Sequence, residues 1–230
     1  SLDDDEADRL ATQVLDADEA WVDEIAWSIA VTDVELLRWI LEQGGEDLFG
    51  ENAEGIYALD GELGYASLVE LDEGKTTLEL IGEDGAFQLE PDDYYMYVVY
   101  PRAYLELPST WDGDFWRTFF VEDDTHGQTL LDAVADAETL AEAAERLGTW
   151  MQSFMTFGYG TNELWPIEIY FAQFGSCGQY SILTTAAAKT VFIPTVTVSA
   201  RADDHEWNEF WDGRWVMWDN SLGEIGANPN

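Results

Sequence analysis

Residues 175–219 read GSCGQYSILTTAAAKTVFIPTVTVSARADDHEWNEFWDGRWVMWD. Ser176–Lys189 has helical character, with Cys177 at its start and the small residues Ala186, Ala187 and Ala188 along its length. Val191–Ser199 is β-branched and contains Ile193-Pro194, which predicts a strand. His205–Phe210 and Arg214–Asp219 then flank Asp212-Gly213, a strong hairpin signal.

Cys177 is the only cysteine, so an intramolecular disulfide and a multi-cysteine zinc site are both excluded. A lone cysteine is more often a small buried hydrophobe than a nucleophile. Its context here favours chemistry. A thiol reacts usefully only as the thiolate, and the positive end of a helix favours that charge. The same N–H groups suit the oxyanion of a tetrahedral intermediate. A base has to come from elsewhere, and the chain has two histidines. His126 lies in Asp123-Asp124-Thr125-His126-Gly127, which reads as an acidic surface turn. His205 begins the final hairpin. With a three-residue loop, Trp211-Asp212-Gly213, Phe210 pairs with Arg214 and His205 falls directly opposite Asp219 on one face. A two-residue loop puts the two on opposite faces. In the first register Asp219 holds one ring nitrogen while the other faces Cys177, the logic of a base and its orienting group. The alternative is a core cysteine, a strand-edge histidine and a terminal aspartate that never meet.

The order of these motifs resembles the transglutaminase-like superfamily. The matching residues are Gly175-Ser176-Cys177, Ile193-Pro194, His205-Glu206-Trp207, Asp212-Gly213-Arg214-Trp215 and Asp219, within about residues 139–223. The resemblance implies a papain-like α+β core in which the nucleophile helix packs on an antiparallel sheet. It also implies an enzyme with catalytic Cys177, His205 and Asp219, passing an acyl group through a thioester to water or an amine. Hydrolysis of peptide or protein amides is the expected outcome, because water needs no dedicated acceptor site; a catalytically silent binding or structural module is the alternative. No cofactor or metal is implied. Three features depart from the family pattern. Glu206 stands where a small residue is usual, Asn220 where proline often follows, and the span from His205 to Asp219 is about one residue short. For a second oxyanion donor, Trp150, Trp165 and Gln173 stay open. Of Trp207, Trp211, Trp215 and Trp218, Trp207 on the His205 face is the best candidate to line a cleft, but core packing between hairpin and helix is the favoured reading for all four.

Upstream, Thr139 and Glu142 form a capping-box pattern for a helix carrying Leu140, Ala143, Leu147, Met151 and Phe154 and stopping near Phe157. Gly158-Tyr159-Gly160 lacks a third phosphate-loop glycine and reads as a plain loop. Asp18–Gln43 predicts one or two helices ending at Gly44-Gly45, and Tyr65–Leu71 with Thr76–Ile81 a hairpin. Asp92–Leu107 is ambiguous between helix and strand, and residues 1–20 read as frayed. The expected division is a helical and hairpin region, 1–110, of unassigned role, and a catalytic domain, 111–230.

Charge bounds the partners. The 48 acidic residues outnumber 9 basic ones for a net charge of −39, yet 11 Trp, 10 Tyr and 11 Phe argue for a packed fold. Such self-repulsion is relieved by salt, so the chain reads as adapted to high salt, as in a halophilic archaeon, and cytoplasmic. Nucleic acid is an unfavourable partner for so acidic a surface. No apolar run reaches the roughly 18 residues of a membrane span, and no ordered calcium-loop spacing stands out among the carboxylates. The chain begins at Ser1 and not at Met, which leaves room for a removed leader or tail.

Overall fold

The computed structural model describes residues 2–71, 75–106, 108, 110–111, 114–160, 165–202 and 204–226. Asp72, Glu73 and Gly74 of the expected first hairpin turn lie outside them.

The acidic start, expected to fray, is a helix, α1 (Asp4–Leu15). Asp3 Oδ1 accepts from Glu6 N at 2.9 Å, and Glu6 Oε2 accepts from Asp3 N at 2.8 Å. Asp4, Asp5 and Glu6 then occupy the first turn, where the helix dipole favours negative charge. Asp18–Gln43 divides into α2 (Val22–Val31) and α3 (Val34–Gln43), and Gly44 closes α3 at φ 67°. After α4 (Leu48–Tyr57), strands β1 (Ala66–Glu70), β2 (Thr76–Gly82) and β3 (Gly85–Gln88) form an antiparallel meander. The aromatic stretch from Asp92 opens as helix: α5 (Pro91–Tyr94) runs into a π-helical turn at Tyr95–Val99.

Two short strands, β4 (Thr110–Trp111) and β5 (Asp114–Phe115), lead to α6 (Trp116–Glu122), α7 (Leu130–Val134) and α8 (Leu140–Gln152). Thr139 Oγ1 caps α8 through Glu142 N at 3.2 Å, but the Glu142 carboxylate reaches Glu138 N at 2.9 Å instead of completing the box at Thr139. α8 ends at Gln152, short of the expected stop near Phe157, because Thr156–Phe157 forms β6. α9 (Pro166–Ala172) precedes β7 (Phe174–Gly175), which pairs in parallel with β6.

The last third holds α10 (Cys177–Thr190), β8 (Thr195–Ser199), β9 (Glu206–Trp211), β10 (Trp215–Asp219) and β11 (Glu224–Ile225). The strand expected from Val191 begins later because Phe192 turns left-handed, at φ 61°, and Ile193 N bonds back to Ala188 O. The sheet order is β11-β10-β9-β8, antiparallel throughout, with α10 packed on β8 and β9. The fold is therefore α+β, a helix carrying the cysteine on an antiparallel sheet.

Every residue of α10 from Gln179 to Thr190 is buried. Asn208 on β9 sews the sheet to it, its Nδ2 donating to Ser181 O at 3.0 Å and Thr185 Oγ1 at 2.8 Å. The earlier part of the chain grips the other end. Tyr65 Oη donates to Val191 O at 2.5 Å. The fully buried Arg117 donates to Asn52 Oδ1 at 3.0 Å, to Val98 O at 2.7 Å and to Lys189 O. One apolar core accordingly runs from Leu10 to Trp218.

A second polar group is buried near the hairpin. Glu24 is fully enclosed on α2; its Oε1 accepts from Tyr57 Oη at 3.2 Å and Tyr94 Oη at 3.1 Å. Oε2 has no partner among the described residues. Burial first, then the neighbouring Asp23, push this carboxyl from 4.5 up to about 8. The folded state thus holds a proton that the unfolded chain releases, and the stability this contributes is full below about pH 4.5 and lost as pH rises through about 8. Glu24→Gln is expected to gain melting temperature over the unmodified chain as pH rises from 5 to 8.5, by thermal unfolding at fixed salt. A difference that stays flat with pH sinks this account.

Candidate active site

The cysteine is placed by a tight turn into α10. Ser176 caps the helix, and Gln179 Oε1 accepts from Ser176 N at 3.0 Å and from Ser176 Oγ at 2.8 Å. A Cβ on Gly175 would overlap the Gln179 side chain, so this approach requires glycine. Gly158 N donates to Gly175 O at 2.9 Å and fastens the turn to the β6 segment. Cys177 is consequently the first helical residue, half-buried. Its N–H and that of Gly178 belong to the first turn, whose donors have no partner inside the helix.

The hairpin keeps the expected loop length but not the expected position. Trp211 pairs with Trp215 and Val216 with Phe210, so the loop is Asp212-Gly213-Arg214, one residue further along, with Gly213 at φ 69°. Trp211 stays in the strand because its ring packs edge-on against Trp215 at 5.4 Å. The Asp212 carboxylate docks on Glu83 N at 3.2 Å, at the β2–β3 turn, where Gly82 leaves the room. Trp218 pairs with Asn208, which sets Asp219 opposite Trp207 and makes His205 its diagonal neighbour. The shift of two places preserves parity, so the diagonal still lies within reach of a ring.

His205 and Asp219 do meet. His205 Nε2 lies 2.8 Å from Asp219 Oδ2. Asp219 is buried, and its Oδ1 accepts from Ser221 N at 3.0 Å, Ser221 Oγ at 2.6 Å and Leu222 N at 3.2 Å. With Nε2 turned to the Asp219 carboxylate, Nδ1 is the ring nitrogen that Asp219 does not engage. Trp207 stacks on the imidazole, centroids 5.8 Å apart, which fits its expected place beside the histidine. Among the described residues no hydrogen bond reaches the Cys177 sulfur.

The site is anchored to its surroundings by two residues that the sequence marks only as departures from the family pattern. Glu206 Oε1 accepts from Ser199 Oγ at 2.9 Å and Tyr104 Oη at 3.3 Å. Asn220 is a buried connector: its Nδ2 donates to Thr184 Oγ1 at 2.9 Å, and its Oδ1 sits where a Cβ on Gly148 of α8 would clash. The Ser176–Gln179 cap was visible as a Ser-x-x-Gln pattern, and the Ser221 clamp as an aspartate folding back on the turn that follows it.

Three other candidates, His126, Gln173 and Trp150, have partners elsewhere. His126 stacks on Phe154 at 4.2 Å, its Nε2 bonds Tyr170 O at 3.2 Å, and Gln173 Nε2 bonds its Nδ1 at 3.2 Å. That accounts for the side chains of both His126 and Gln173. Trp150 Nε1 donates to Gln128 O at 3.1 Å, and Trp165 precedes α9. No metal-binding group of three or more ligating side chains exists among the described residues, and no helix there is long and apolar enough to cross a membrane.

Removing the Asp219 carboxylate leaves Ser221 N, Ser221 Oγ and His205 Nε2 without this acceptor, while Leu222 N keeps the Asp219 backbone carbonyl at 3.3 Å. Asp219→Ala is expected to lower the unfolding free energy by about 2–4 kcal/mol in chemical denaturation, and Asp219→Asn by about half as much. Equal stability of Asp219→Ala and the unmodified chain would contradict the clamp.

Residues 128–220 match the model of the transglutaminase-like superfamily, whose domains are in general thiol-dependent acyltransferases or proteases. No curated protein and no solved structure matches the chain.

Proposed function

We propose that the transglutaminase-like domain over residues 128–220 hydrolyses peptide or protein amides through a Cys177 thioester. The observation that carries this reading is the 2.8 Å His205–Asp219 pair, set beside the head of α10. The two elements run side by side in one direction. Gly178 lies against Glu206, and Ser181 and Thr185 against Asn208; these contacts at the neighbours of Cys177 and His205 support the two meeting.

In this mechanism the Cys177 proton passes to His205 Nδ1, and the thiolate attacks the amide carbonyl carbon. The carbonyl becomes an oxyanion, held by the Cys177 and Gly178 N–H groups at the helix head. Its collapse breaks the C–N bond, and the imidazolium gives its proton to the departing amine. Water then loses a proton to His205, attacks the thioester and releases the acid and the thiol. Asp219 keeps Nε2 protonated throughout and stabilises the imidazolium.

Iodoacetamide labelling read by mass spectrometry tests this without a known substrate. Labelling of Cys177 at pH 6 is expected to fall at least tenfold in His205→Ala, where an ordinary thiol near pKa 8.5 is almost wholly protonated. Amide hydrolysis should vanish in Cys177→Ala and fall about 100-fold or more in His205→Ala. A labelling rate that ignores His205 rejects the enzyme and leaves a binding module on the same fold.

The same reading includes the medium. The sequence has 48 acidic side chains; among the described residues Arg9 pairs with Glu46, Arg38 with Glu6, Arg146 with Glu142 and Arg214 with Glu83. The melting temperature is therefore expected to rise as salt goes from about 0.1 M to about 1 M, while the screening length shortens from about 10 Å to about 3 Å. A protein no more stable in strong salt contradicts adaptation to it.

A further inference from the structure

We propose that Glu206 is a specificity residue that selects a cationic side chain, lysine or arginine, flanking the amide that Cys177 attacks. The inference rests on the acyl-transfer reading above and adds to it the class of substrate.

Glu206 is a half-buried carboxylate whose two oxygens have different fates. Oε1 is fixed by Ser199 Oγ at 2.9 Å and Tyr104 Oη at 3.3 Å. Oε2 has no hydrogen-bond partner among the described residues, and none of the ion pairs there involves Glu206. That oxygen lies 3.0 Å from the place a Cβ would take on Gly178, so the absence of a side chain at 178 leaves room for it. Adding the Cα–Cβ bond and the spacing of adjacent Cα atoms puts Oε2 within about 9 Å of the Cys177 Cα. A lysine or arginine next to the reacting carbonyl spans that gap.

Two neutral donors holding one oxygen fix the direction of the other without neutralising the charge. A carboxylate so placed attracts a cation and repels an anion, and the partly buried setting makes that preference stronger than for a freely solvated group. The general charge of −39 also draws cations, but salt screens that distant field far more than a contact at the site.

Methanethiosulfonates probe this directly, since the Cys177 thiolate forms a disulfide with the reagent and displaces methanesulfinate. Rates are compared at about 1 M salt for a trimethylammonium-ethyl, a neutral methyl and a sulfonato-ethyl reagent. The ratio of cationic to neutral rate is expected to drop about three- to tenfold in the isosteric Glu206→Gln. It should change less than twofold in the exposed control Glu35→Gln. Glu206→Lys serves as a second variant and should favour the anionic reagent over the cationic one. A reactive Cys177 whose ratio is the same in Glu206→Gln and Glu35→Gln overturns this inference alone. A Cys177 that ignores all three reagents overturns the acyl-transfer reading, and this inference with it.

Discussion

From Gln179 to Thr190, α10 has no side open to solvent, and a helix so enclosed must find partners for each polar group it carries. Ser181 O and Thr185 Oγ1 accept from Asn208. Thr184 Oγ1 accepts from Asn220 and faces the Met151 sulfur at 3.3 Å. Lys189 Nζ donates to the carbonyls of Met96, Tyr100 and Arg102. Each bond ties α10 to a different element, so the sheet, α8 and the π-helical turn are all aligned by one helix. The small residues Ala186, Ala187 and Ala188 let those neighbours approach closely, where extra methylenes would cost about 1–3 kcal/mol. Only its first two residues, Cys177 and Gly178, are left half-buried.

Two carboxylates flank the histidine, and their surroundings divide the work. Asp219 accepts from Ser221 and Leu222 through Oδ1 and meets His205 through Oδ2. Its place is fixed by these four bonds. Glu206, next to the histidine in sequence, turns one oxygen to Ser199 and Tyr104 and the other towards the helix head. The difference follows from backbone context: the turn after Asp219 folds back and supplies N–H donors to its carboxylate, whereas the Glu206 carboxylate is met by the hydroxyls of Ser199 and Tyr104.

What the sequence made legible followed from local rules. The α10 start, the Gly44 stop and the three-residue loop each rest on capping or turn chemistry that a few residues specify. What it did not make legible depends on partners far along the chain. The loop sits one residue later than expected because Asp212 docks on Glu83 and Trp211 packs on Trp215. Parity survived that shift, and so did the His205–Asp219 contact. Residues 1–20 were misread because composition reports total charge and not its position; Asp3 and Glu6 use their charge as a cap. The bonds made by Glu206 and Asn220 could not be inferred, since Tyr104 and Thr184 come beside them only in the fold.

The grip of Tyr65 on Val191 also bears on the order in which the protein is made. Tyr65 waits for a carbonyl 126 positions later, and Glu83 for a carboxylate 129 positions later. The ribosome must therefore deliver 126 or more further residues before the earlier helices and hairpin find these partners. At about 5–20 residues per second the final stretch takes some seconds, during which apolar faces meant for α10 stand uncovered. Contacts so distant in sequence also slow folding once the chain is free. Mutual repulsion among nascent chains of this acidity keeps those faces apart in the interval, so the charge that strains the finished molecule protects the unfinished one.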